Sequence, residues 1–231
     1  MSLFVRESGF YRRFFWLTLV IGMQNLISVG VNLSDNMMLG GYSETALSGV
    51  ALANQIQFLL HMLVMGACEG LVIMSSRFWG AKRIDSIKQA ASIGMRMSIA
   101  LGVMMWLVVF FFPQEVLSLF TKDANVIAAG VEYLRIMCFS YIFFAVTSSL
   151  LATLRSVETV KIGFIVSLST LVINIVLNYI LIYGHLGFPE LGVQGSAIAT
   201  LTARILECII VCFYIKRFDR KIGLALRDFL H

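Results

Sequence analysis

The chain has 231 residues, of which 59% are hydrophobic and only 13% charged, with a mean hydropathy of +0.87. Soluble domains carry roughly 45–50% apolar and about 25% charged residues, so a water-soluble globule is excluded. A disordered chain is excluded too, because disorder requires low hydrophobicity and high charge. The net charge of +5 would suit nucleic acid, but its placement along the chain points to membrane topology instead.

Residues 1–13 are basic, with Arg6, Arg12 and Arg13, and are expected to be cytoplasmic. The first apolar run, 14–39, is interrupted by Gln24, Asn25, Asn32 and Asp35 and has no small-residue cleavage site, so it does not read as a signal peptide. The second run, 47–78, carries Gly66 and Gly70 at GxxxG spacing, which predicts a packing contact. A basic loop with Arg77, Lys82, Arg83 and Lys88 leads to the third run, 87–112, which Pro113 ends. The fourth run, 126–154, is followed by Arg155 and Lys161, and the fifth, 162–183, by Pro189. The sixth, 193–215, gives way to a basic, moderately amphipathic stretch, 217–231. That stretch reads as a solvated tail, an interfacial helix or a linker to a further domain.

Each run can cross a hydrocarbon layer about 30 Å thick. Barrel strands would instead alternate polar and apolar residues over segments of about ten. The expected fold is therefore all-α and polytopic, with six transmembrane helices over 14–216. Lysine and arginine fall on the side of the N-terminus, after the second, fourth and sixth runs, while the opposite loops hold Lys122 among Glu44, Glu115, Asp123 and Glu190. By the positive-inside rule both ends of the chain are cytoplasmic, the lipid bilayer is the partner, and nucleic acid is not.

Polar groups at membrane depth are costly, so each is a functional candidate. Asp35 lies roughly 7 Å below the outer end of the first run, at 1.5 Å per residue. Asn178 lies at similar depth on the fifth run, with Asn174 one turn below on the same face. Tyr133 on the fourth and Thr200 on the sixth complete five oxygen-bearing side chains at compatible depth. A carboxylate with amide and hydroxyl oxygens suits Na⁺, or a proton site tuned by burial. Independent interhelical hydrogen bonds would satisfy the same residues.

A second group comprises Glu69, Arg96, Glu132, Arg135, Arg204 and Glu207. Glu132/Arg135 and Arg204/Glu207 stand at i,i+3 and can neutralise one another locally. Glu69 and Arg96 lie on consecutive helices and are expected to meet as an interhelical ion pair, since an unpaired charge at depth costs several kcal/mol. His61, His185 and His231 are isolated, the four cysteines lie in apolar runs without CxxC spacing, and no metal centre is expected. No zinc-protease, nucleophile-elbow, Walker or dinucleotide motif occurs, so catalysis is not expected.

The stretches "QNLISVGVNLSDNMMLGG", "SSRFWGAKRIDSIKQ", "EYLRI", "LRSVETVK", "NIVLNYILIYGHLGFPELGVQGSAIAT" and "ARILE", in this order, resemble the multidrug and toxic compound extrusion family of secondary transporters. The resemblance implies twelve helices in two lobes around a central cavity, of which this chain would be the N-terminal lobe, with 217–231 entering the inter-lobe connection. It implies inward movement of Na⁺ or H⁺ in exchange for an organic, often cationic, small molecule, with no other cofactor. It places the cation site at Asp35, Asn174 and Asn178, with Tyr133 and Thr200 beside them. A missing C-terminal lobe, or a second copy in a homodimer, would complete the cavity. A lipid-linked oligosaccharide flippase and a non-transporting half-transporter or scaffold are the alternatives. Two departures touch helix bending: Val20 and Gly163 stand where relatives often have proline.

Overall fold

The computed structural model describes residues 8–218 and Gly223. Nearly all of the expected tail, 217–231, and the start of the N-terminal segment, 1–7, lie outside the described residues.

Eight helices follow in order, designated α1 (Ser8–Tyr42), α2 (Glu44–Gly80), α3 (Ile84–Phe111), α4 (Pro113–Ser118), α5 (Ala124–Met137), α6 (Ser140–Ser156), α7 (Lys161–Tyr183) and α8 (Gly192–Phe218). A single 3-10 turn, His185–Gly187, follows α7. Five of the helices are long and apolar enough to cross a membrane alone, and α5 with α6, bent by 54° at a short break, count as a sixth when the pair is taken as one span. The protein is thus an all-α, multi-span membrane protein, and its fourth run is two helices rather than one.

Local chemistry sets the ends. The Ser43 hydroxyl caps α2 by accepting from the Ala46 amide, and the Asp123 carboxylate caps α5 by accepting from Asn125 and Val126. Pro113 opens α4, where a missing N–H costs nothing. Gly184, at φ +68°, closes α7 in the left-handed conformation that a residue with a Cβ resists.

α1 packs on α7, and α7 on α8; α2 packs on α3, α5 and α6, and α8 joins the two groups by lying against α5 and α6. The buried face of α2 shows how sequence makes this core: Ala46, Gly49, Val50, Ala53, Ile56, Leu60, Val64, Cys68 and Leu71 recur every three or four residues. Small residues set the closest approach. A Cβ on Gly49 would lie 2.7 Å from the Gly130 amide nitrogen, so α2 and α5 cross backbone to backbone there.

The expected packing role of Gly66 and Gly70 is corrected by the structure. A Cβ on either glycine would meet nothing within 4 Å, and both are exposed. They fall outside the stripe through which α2 meets its neighbours.

Candidate functional site

Four side chains from three helices close a ring of hydrogen bonds. The Asn178 amide nitrogen donates to Oδ1 of Asp35 and, at 3.2 Å, to Oδ1 of Asn174. The Asn174 amide nitrogen donates to the Thr200 hydroxyl at 3.2 Å, and that hydroxyl donates to Oδ2 of Asp35 at 3.4 Å. Asp35 comes from α1, the two asparagines from successive turns of α7, and Thr200 from α8. Tyr133 of α5 stands against Thr200 and Asp35 from the remaining side. All five are buried. The structure thus brings together the five residues that depth and spacing single out.

The donors of this ring converge on the carboxylate, and one acceptor is left over. Oδ1 of Asn178 is buried without a hydrogen-bond partner among the described residues. A buried polar atom without a partner costs about 1–3 kcal/mol, so this oxygen is free to accept from a ligand, water or ion. An amide oxygen beside a carboxylate seeks a positive group. Among the described residues no three His, Cys, Asp or Glu side chains gather as a metal centre. The ring gathers carboxylate, amide and hydroxyl oxygens, a set suited to a hard monovalent cation.

A second feature is a cleft of about 410 Å³ between α1, α2, α6 and α8. Gln24, Asn25, Ser28 and Asn32 face it from one stripe of α1, and Asn54, Gln57 and His61 from α2. Phe144, Thr147 and Arg155 of α6 and Arg204 and Glu207 of α8 close the other side. Its polar groups include five amides, set among apolar side chains such as Ile21, Phe58 and Leu151, and such polar groups cannot be turned to lipid without cost.

The charged pairs divide. Arg204 bonds Glu207 at 2.8 Å, with both side chains largely buried. Glu69 does not meet Arg96; it pairs with Arg155 of α6 at 3.5 Å. The reason is helix rotation. Leu71 and Gly94 form the α2–α3 contact, where a Cβ on Gly94 would lie 2.9 Å from the leucine. Glu69 and Arg96 each stand two residues away, about 200° round the helix at 100° per residue, and point outward. Arg96 is exposed and has no ion pair among the described residues. Glu132 and Arg135 are also exposed and form no ion pair within 4 Å among the described residues, because an exposed pair gains little for ordering two long side chains.

Sequence reasoning missed Arg155 as the partner of Glu69, and set aside His61, whose ring lies 5.4 Å from that of Phe144. It also missed Tyr183, whose hydroxyl donates to the Met38 carbonyl at 2.7 Å and ties the C-terminal ends of α7 and α1.

A family profile described as MatE matches residues 21–180. A probable multidrug resistance protein NorM of Rhizobium meliloti is 31% identical over 85% of the chain and 42% of its own length. That of Thermotoga maritima is 26% identical over 87% of the chain and 44% of its own length. Among solved structures, a MATE transporter in the bent conformation superposes with a TM-score of 0.86 at 20% identity, covering 95% of this chain and 48% of that one. An inward-facing MATE family transporter gives 0.79 at 21% identity over 92% of this chain and 49% of its own. The structural likeness carries the fold. The chain spans about half the length of the relatives it matches.

Proposed function

The chain belongs to the MatE family and corresponds to the N-terminal, half-length lobe of its transporters, and we propose that it serves a cation-coupled multidrug antiporter. In this reading Na⁺ or H⁺ enters at Asp35 and an organic, often cationic, compound leaves through the cleft between α1, α2, α6 and α8. The relatives are named probable multidrug resistance proteins, which favours efflux over the flippase and scaffold alternatives. The lobe lies in the cell membrane with both termini cytoplasmic, as the distribution of lysine and arginine favours.

The observation that carries the reading is the closed ring around Asp35 with Asn178 Oδ1 left without a donor. Asp35, Asn174, Asn178 and Thr200 would hold the cation as a transported substrate. Its differential affinity for two arrangements of α1, α7 and α8 would shift the population between outward- and inward-open states. The helices are tied at this level by the ring itself, so whatever occupies Asp35 bears on how α1 sits against α7 and α8.

The test is Asp35→Asn in the protein at its native length, reconstituted in vesicles under an imposed Na⁺ or proton gradient. Asn keeps the shape and loses the charge. Ethidium efflux driven by either gradient is expected to vanish while folding persists. Gradient-driven efflux at the unmodified rate would overturn the assignment.

A further inference from the structure

The cleft carries a cation of its own. Arg204 leaves α8 with its guanidinium carbon 5.4 Å from the centroid of the Phe144 ring, and its Nη1 lies 2.8 Å from Oε2 of Glu207. His61 of α2 lies against the same phenylalanine, tilted by 32° with centroids 5.4 Å apart. All four side chains line the cleft. The Glu207 side chain is only 7% exposed and that of Arg204 19%.

An aromatic face and a shielded carboxylate are the two elements by which proteins recognise organic cations. Here both are occupied by a side chain of the protein itself. Stability alone is a poor reason for the arrangement, because a buried ion pair is often no better than apolar residues of the same volume. Its location in the wall of a cleft gives it access to a ligand.

We infer that Phe144 and Glu207 form a site for a monovalent organic cation, and that Arg204 is a tethered competitor for it. The guanidinium imitates the ligand: a planar, delocalised charge that rests on a ring and bonds a carboxylate. Because it is tethered, it competes at the high effective concentration of an intramolecular group. A cation entering the cleft must displace Arg204, so this half of the cleft discriminates against weakly bound organic cations. Ligands that offer an anionic group to the displaced guanidinium recover that loss. The inference rests on the reading of the cleft as the drug-facing wall, and it sets the substrate class that wall selects.

The experiment is equilibrium binding of tetraphenylphosphonium to the purified native-length protein, without any ion gradient. Arg204→Gln removes the competitor and is expected to bind the probe about 10-fold more tightly than the unmodified protein. Adding Glu207→Gln removes the site and is expected to abolish the gain. Equal, weaker or undetectable binding by a folded Arg204→Gln protein overturns the proposal, as does a gain that survives loss of Glu207. If Arg204→Gln does not fold, as size-exclusion chromatography will report, Arg204→Lys decides. Its compact, strongly hydrated ammonium holds the ring less well, so a gain of about threefold is expected, and no gain overturns the proposal. Asp35→Asn provides the separation from the coupling assignment. Failure of that assignment appears as persistent gradient-driven efflux, whereas the effect of Arg204 on binding is read with no gradient present.

Discussion

At the scale of single residues, the ring around Asp35 separates position from chemistry. Thr200 both accepts from Asn174 and donates to Asp35. Thr200→Val keeps the shape and removes both bonds, leaving the Asn174 amide without its acceptor. The expected cost is about 1 kcal/mol, the scale of an interhelical hydrogen bond in a membrane protein, seen as a lowered midpoint in thermal unfolding of the purified protein. Thr200→Ser should recover most of it, and a Val variant as stable as the parent would remove Thr200 from the ring. The two ion pairs should behave oppositely. Glu69→Gln releases an exposed pair and should change stability by less than about 1 kcal/mol. Glu207→Gln strands a largely buried guanidinium and should cost about 3 kcal/mol or more, measured by the same unfolding experiment. What was legible at this scale was whatever depth and i,i+4 geometry determine: Asp35, Asn174, Asn178, Tyr133 and Thr200 needed only a count of residues from the span ends. The partner of Glu69 was not legible, because it depends on the rotation of α2 against α3, which Leu71 and Gly94 fix through their contact.

At the scale of elements, the bend between α5 and α6 was hidden because nothing in residues 138–139 breaks a helix. Neither proline nor glycine stands there. Cys138 still bonds back to Leu134, while Tyr141 bonds to Cys138 in a tighter turn. Tertiary contact supplies the cause. Gly102 of α3 admits the Tyr141 carbonyl, to which a Cβ would approach within 3.1 Å, and Phe139 meets Trp106 and Phe110 at 6.0 and 5.9 Å. The first turn of α6 therefore docks on α3 at an angle that a straight span could not reach. Glycine spacing misled in the opposite sense: GxxxG pointed to Gly66 and Gly70, whereas the close crossing belongs to Gly49 and Gly130. Gly49→Ala would drive a methyl group onto the backbone of α5, which has no flexible end to move aside, and should destabilise the protein by about 1–3 kcal/mol. Gly66→Ala meets open space and should leave the unfolding midpoint within about 0.5 kcal/mol of the parent. Equal effects at the two positions would contradict the crossing seen between α2 and α5.

At the scale of the whole molecule, the described helices form a wall rather than an enclosed path. α1 leaves Phe15, Leu19, Leu26, Val29, Leu33 and Met37 exposed along its length, and next to that apolar face runs the stripe of Gln24, Asn25, Ser28 and Asn32 that lines the cleft. Lipid can cover the first surface but not the second, because amide groups lose their hydrogen bonds to water in hydrocarbon. Transporter sites of this kind lie between two repeats, where a second wall keeps the polar groups wet. Residues 1–231 expressed alone should therefore give no gradient-driven ethidium efflux from vesicles, and efflux should return when a second six-helix lobe of the same family is co-expressed. The outcome opposed to this is robust efflux by the purified 231-residue chain, which would require two copies to set their clefts face to face. Crosslinking tells the two apart. A cysteine at Asn32 should form no disulfide between copies if a different lobe covers the cleft, and should do so readily if the second wall is another copy of the same chain.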